Sequence, residues 1–157
     1  MSIPSRLKDE RPGTFFVSAN AIGQRFLLQS DRMANLFIET LLGYRDAEKL
    51  LVHEFTVMPN HVHILITPIN AKLSESLRLI KGGSSFRAGK EFGLKGQIWQ
   101  PGFSDHRVRD ADDYFAHKNY IWQNAVKARL VERAEDWPFC SASGKFRLDR
   151  APEHLGG

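Results

Sequence analysis

Leu51-Val52-His53-Glu54-Phe55-Thr56-Val57 and His61-Val62-His63-Ile64-Leu65-Ile66-Thr67, separated only by Met58-Pro59-Asn60, decide how this chain folds. Both runs are rich in β-branched and apolar residues, and a Pro-Asn pair between such runs favours a tight turn. The expectation is an antiparallel hairpin. Successive strand side chains point to opposite faces. The first run should therefore show Leu51, His53, Phe55 and Val57 on one face, with Val52, Glu54 and Thr56 on the other. The second should bury Val62, Ile64 and Ile66 on one side and project His61 and His63 together on the other.

Outward from the hairpin, helical and extended patterns alternate. Upstream, Gly13 to Gln29 reads as a strand that becomes irregular at Asn20-Ala21-Ile22-Gly23. Asp31 is placed to cap a helix over Arg32 to Arg45, with Met33, Leu36, Phe37, Thr40 and Leu41 at helical spacing. Downstream, Lys72 to about Phe92 reads as a helix burying Leu73, Leu77, Ile80 and Phe86, with a break or kink expected at Gly82-Gly83. Gln97 to Arg109 reads as a strand carrying Trp99, Phe103 and Val108. Asp110 then starts a helix packed through Tyr114, Ile121 and Val126, and Trp137-Pro138-Phe139 forms a C-terminal packing segment. The order β-α-β-β-α-β plus a further helix is that of an α+β, ferredoxin-like split βαβ fold, an antiparallel sheet with helices packed on it. Residues 1–12 read as a basic arm, 13–147 as a single domain and 148–157 as a loose tail.

Composition limits the possible functions. At 157 residues the chain can bury a core without disulfides, and its single cysteine, Cys140, has no internal partner. A reducing, cytoplasmic setting is the expectation. No apolar run approaches the ~20 residues that span a bilayer, and Met1 to Pro12 has no apolar leader core. A formal net charge of +4 permits a polyanionic partner without requiring one.

The residues with chemistry fall in two places. His61 and His63, two apart on a strand, can meet one cation, although such a pair also suits a hydrogen-bonded role. Tyr120 and Asn124, four apart on a helix, share a face one turn from each other. Asparagine is disfavoured inside a helix, and a metal or phosphate contact for its amide oxygen would explain it. Two imidazoles and an amide oxygen, with positions left open, suit Mg²⁺ or Mn²⁺ bound jointly with a phosphate. A tyrosine beside such a site can attack the phosphate in line, leaving a 5′-phosphotyrosine linkage and a free 3′-hydroxyl. The linkage keeps the phosphodiester's energy, so cutting and rejoining need no ATP.

Val57-Met58-Pro59-Asn60-His61-Val62-His63-Ile64-Leu65 resembles the HUH signature of single-tyrosine insertion-sequence transposases. Trp99-Gln100-Pro101-Gly102-Phe103, Tyr120-Ile121-Trp122-Gln123-Asn124-Ala125-Val126-Lys127-Ala128 and Asp136-Trp137-Pro138 follow in the order seen in REP-associated tyrosine transposases. The resemblance runs from about Gly13 to Ser143. It implies His61, His63 and Asn124 as metal ligands, Tyr120 as nucleophile and a ferredoxin-like sheet with helices on one face. It further implies single-stranded or hairpin DNA as partner, in a monomer or homodimer. Two positions depart from it: Ala125 stands where the family usually has Pro, and Arg129 where it usually has Gly.

Basic residues are candidates for tracking a DNA backbone: Arg6, Lys8 and Arg11 in the arm, Arg78, Lys81, Arg87 and Lys90 along the middle helix, and Arg107 and Arg109 before the Tyr120 helix. Trp99 and Phe103 are candidates for stacking on unpaired bases. His117 shares a helix face with Tyr120 and can orient the phenol, contact DNA or stand as a partly exposed polar residue, and Glu54 can serve as an acceptor behind a ligating histidine. The leading expectation is a metal-dependent single-stranded DNA endonuclease and strand transferase. The alternatives are a single-stranded nucleic-acid binder that no longer cleaves, and a metal-dependent hydrolase that activates water.

Overall fold

The computed structural model describes residues 10–156. Four antiparallel strands, β1 (Phe15–Asn20), β2 (Leu50–Met58), β3 (His61–Pro68) and β4 (Ser104–Arg107), form one sheet in the order β2-β3-β1-β4. Helices α1 (Asp31–Asp46), α2 (Leu73–Phe92) and α3 (Ala111–Lys127) cover it, and a short α4 (Glu153–Gly156) follows. This is the expected α+β, split βαβ arrangement. No helix among the described residues is long and apolar enough to cross a membrane.

The helices do not share one face. Phe15, Val17, Ala19, Val62, Ile64 and Ile66 pack with α1 and α2, while Leu65 packs with Tyr114 and Ile121 of α3 on the other side. The alternation within β1 and β3 therefore feeds two separate cores, and α3 occupies the sheet face onto which His61 and His63 project.

The hairpin forms with a two-residue turn, Met58 pairing with His61. The side-chain alternation expected for β2 fails at its start, because the register shifts between Val52 and Glu54. This bulge puts Val52 opposite Ile66 on the same face as Phe55 and Val57, and leaves Glu54 and Thr56 facing α3. His53, at the bulge, is buried, with Nε2 2.8 Å from Thr67 Oγ1 and Nδ1 3.1 Å from the Asp149 carbonyl.

Helix α1 is capped one residue earlier than expected: Ser30 Oγ accepts from Met33 N at 3.2 Å. Its buried face comprises the expected Met33, Leu36, Phe37, Thr40 and Leu41, joined by Ala34 and Ile38. Helix α2 runs for 20 residues without a break at Gly82-Gly83. A Cβ at Gly83 would collide with the Tyr44 hydroxyl, whereas at Gly82 it would meet open space. Gly83 thus allows α1 and α2 to approach closely. Phe86, expected in the core, is exposed.

The strand expected from Gln97 shortens to β4, because Gly102 takes a left-handed φ of 80° and turns the chain before Ser104. Helix α3 begins as expected, with Asp110 Oδ1 accepting from Asp113 N at 2.8 Å.

The segment after α3 closes the free edge of β2. Val57 N donates to the Phe139 carbonyl at 2.9 Å, and Trp137 Nε1 donates to the Val57 carbonyl at 3.0 Å. The stretch after Arg147, expected to be loose, continues this covering. Asp149 N donates to the Val52 carbonyl at 2.9 Å, Val52 N donates to Asp149 Oδ2 at 2.8 Å, and Leu155 is buried. An unpaired strand edge attracts other chains, and this segment satisfies it internally.

Candidate active site

Strand pairing and the placement of α3 bring four side chains together. Ring centroids of His61 and His63 lie 4.8 Å apart, as expected for alternate residues of one strand. Tyr120 stands edge-on to His63 at 5.3 Å and to Phe16 at 5.8 Å. Asn124, one turn further along α3, faces His61: burial lowers the pKa of the imidazole, and the Asn124 amide partly offsets that effect. The spacings in two distant segments thus meet at one place. Tyr120 is 43 % exposed, open enough for a bulky substrate to reach its hydroxyl.

His63 is the buried member of the pair. Its Nδ1 lies 2.6 Å from Ser18 Oγ, whereas its Nε2 is buried with no hydrogen-bond partner. Burial, aided by the neighbouring His61, holds His63 far below the ordinary imidazole range, at about 3. The ring is therefore neutral at physiological pH. His61 is also lowered by burial, and its Nδ1 lies 2.7 Å from Asn60 Oδ1. Each ring has one nitrogen occupied by a neighbouring oxygen, the arrangement that orients metal-ligating histidines.

Sequence reasoning missed Ser18 and Phe16. Ser18 opposes His63 only through the β1–β3 register, which no local pattern reveals. Asn60 was visible as a turn residue but not as the partner of His61.

Glu54 does not stand behind either histidine. Its Oε1 accepts from Trp122 Nε1 and from Ser141 Oγ, both at 2.7 Å, and Lys118 Nζ lies 3.8 Å from Oε2. Glu54 instead anchors the stretch of α3 that carries Tyr120 and Asn124. His117 is half-buried against Phe16, at 4.7 Å between ring centroids, with Nδ1 2.9 Å from the Asp113 carbonyl.

The expected DNA-contact residues are scattered. Arg6 and Lys8 lie outside the described residues. Arg78, Lys81, Arg87 and Lys90 belong to α2, on the sheet face away from Tyr120. Lys81 Nζ donates to the Gln100 and Gly102 carbonyls at 2.9 and 2.7 Å, and Arg87 is paired with Glu39 and Glu91. Arg107 donates to the carbonyls of Pro12 and Arg11, which ties it to the arm, while Arg109 is exposed. Trp99 is a core residue, not a stacking platform: it is 5 % exposed, packs on Phe37 and donates from Nε1 to Ser84 Oγ at 2.9 Å. Half-buried Phe103 does border a groove of about 240 Å³ that also includes Ser18, Asn20, Gln100 and Ser104. A larger cavity of about 490 Å³, bordered by His53, Glu54 and Phe115, includes none of the four clustered side chains.

The family model described as "Transposase IS200 like" matches residues 21–124, more than half of the chain. A REP-associated tyrosine transposase of Escherichia coli (strain K12) is 31% identical over 150 residues, covering 88% of this chain and 85% of that protein. A solved structure of a REP-associated tyrosine transposase bound to a REP hairpin is 28% identical, with a TM-score of 0.74 over 97% of this chain and 92% of that one. A Deinococcus radiodurans structure, 16% identical with a TM-score of 0.53 over 82% of this chain and 98% of that one, shares the fold alone. The chain belongs to the IS200-like transposases and, within them, to the REP-associated tyrosine transposases, a family of enzymes.

Proposed function

We propose that this chain is a divalent-metal-dependent endonuclease and strand transferase, acting on single-stranded, hairpin-forming DNA through a Tyr120–phosphate linkage. The observation that carries this reading is the buried, unpartnered Nε2 of His63, neutral and next to Tyr120. A buried polar atom without a partner is costly in a native protein and calls for a ligand.

With Nδ1–H donated to Ser18, His63 presents a lone pair at Nε2, and His61 can do the same with Nδ1–H donated to Asn60. Asn124 supplies an amide oxygen from α3. Among the described residues, the one trio of His, Cys, Asp and Glu side chains close enough to hold an ion is elsewhere, so a neutral oxygen is the natural third donor for the His pair. The set fits Mg²⁺ or Mn²⁺ shared with a phosphate. When bound, such an ion supplies charge stabilisation to the scissile phosphate.

The remaining work falls to the chain itself. Tyr120 provides the attacking oxygen from an exposed helix face, and Glu54 fixes that helix through Trp122. Attack forms a Tyr120 O–P bond and breaks the P–O3′ bond, with the 3′-oxygen leaving as a hydroxyl after taking a proton. Rejoining is the reverse attack by a 3′-hydroxyl. The groove beside Ser18 and Phe103 can take an unpaired nucleotide next to the reacting phosphate. The solved relative bound to a REP hairpin supports hairpin DNA as the substrate class.

Cleavage of an end-labelled single-stranded hairpin, with Mg²⁺ or Mn²⁺ and with chelator, tests the reading. Activity should require metal and disappear in His63→Ala. Equal cleavage with chelator, or by His63→Ala, would overturn the metal assignment.

A further inference from the structure

Outside this site, α3 and β4 bring together a second group of ligating side chains. His106 projects from β4, and Asp113 and His117 project from one face of α3, four residues apart. One ligand atom from each lies within 4.8 Å of the others. The Asp113 carboxylate bridges the pair, with Oδ2 2.8 Å from His106 Nε2 and Oδ1 3.1 Å from His117 Nδ1. The two imidazoles stack with centroids 4.6 Å apart. All three residues are half-buried, and Asp113 Oδ2 also accepts from Arg109 N at 3.0 Å.

We infer that His106, Asp113 and His117 form a second metal site, selective for a borderline transition ion such as Zn²⁺. Two imidazoles and one carboxylate with one position left for water match zinc's ligand preference. The sites differ in their third donor, the charged Asp113 carboxylate here against the neutral Asn124 amide oxygen there. The ring of Phe16 lies between them, 4.7 Å from His117 and 5.4 Å from His63, so neither site needs a ligand from the other.

The role of such an ion is mechanical. β4 is a four-residue edge strand paired with β1, and the trio links it to the first turns of α3. Joining them with a metal fixes the start of the helix that carries Tyr120. A metal bound by the folded chain also stabilises it by mass action.

The test uses full-length chain stripped of metal, then dialysed against excess Zn²⁺ and assayed for bound zinc. A His61→Ala/His63→Ala chain should retain one equivalent, and adding His106→Ala should remove it. In parallel, the thermal midpoint of the His61→Ala/His63→Ala chain should rise with zinc, and that rise should vanish with His106→Ala. If the His61/His63 double variant does not fold, wild type compared with His106→Ala should show the loss of one equivalent. Zinc retention unchanged by His106→Ala, or none retained without His61 and His63, would overturn the site and leave a hydrogen-bonded His–Asp–His bridge. Cobalt substitution adds a spectroscopic readout, since a visible absorption band that depends on His106 and His117 reports direct ligation.

Discussion

Ser18 Oγ sits 2.6 Å from Nδ1 of His63 across the β1–β3 ladder, and the opposite ring nitrogen is buried without a partner. This single contact decides which nitrogen of His63 faces the proposed metal. Ser18→Ala removes the oxygen that accepts the Nδ1 proton and frees the ring to change tautomer. Loss of such a supporting partner typically weakens metal binding by about 10–100-fold. Titration of Mn²⁺ into wild type and Ser18→Ala by calorimetry should show a loss of that size. Equal affinities would mean that Ser18 does not set the tautomer.

Acid should destabilise the metal-free fold. His53, His61 and His63 all have pKa values lowered chiefly by burial, His63 to about 3. The unfolded chain takes up protons near ~6.5, whereas the folded chain resists doing so. Stability is therefore fully present above about 6.5 and is lost as pH falls toward the folded values, by up to ~1.4 kcal/mol per pH unit for each group. Urea melts in chelator between pH 7 and 4 should show this fall, and His53→Gln should make it shallower. A stability that is flat over that interval would contradict the burial argument.

Arg129 is strained by its backbone. It follows α3 with φ 61°, while Arg129 N donates to the Val126 carbonyl and Leu130 N to the Ala125 carbonyl, at 3.0 and 2.9 Å. That pattern is the Schellman ending, which glycine favours at this position. Arg129→Gly should stabilise the fold by about 1 kcal/mol, read as a higher denaturation midpoint with unchanged slope. A lower midpoint would show that the arginine side chain contributes more than its backbone costs.

Gly82 and Gly83 should respond in opposite directions. Gly82→Ala adds a methyl in open space on an unbroken helix and should stabilise by up to ~1 kcal/mol. Gly83→Ala drives a methyl against Tyr44 and should cost about 1–3 kcal/mol. Paired thermal melts check both signs. Destabilisation by Gly82→Ala would support the kink that the pair suggests in sequence.

The hairpin, the order of elements and the meeting of His61, His63, Tyr120 and Asn124 were legible because each rests on a local spacing of two or four residues. What was not legible depends on partners distant in the chain. The bulge at His53 is stabilised by Asp149 and Thr67, and the side chain of Ser18 acquires its role only through the register that places it opposite His63. Trp99 looked like a stacking platform because composition alone cannot show that its indole N–H is satisfied by Ser84. The basic residues of α2 looked like one groove, but they lie on the sheet face away from Tyr120, where Arg87 is held by two glutamates.

The most direct measurement is to incubate the full chain with labelled single-stranded hairpin DNA and Mn²⁺, denature, and map any protein–DNA adduct by mass spectrometry. An adduct is expected on the Tyr120 phenol, joined to a 5′-phosphate, and absent in Tyr120→Phe. DNA cleaved at an undiminished rate by Tyr120→Phe, with no adduct in either chain, would contradict the Tyr120 assignment.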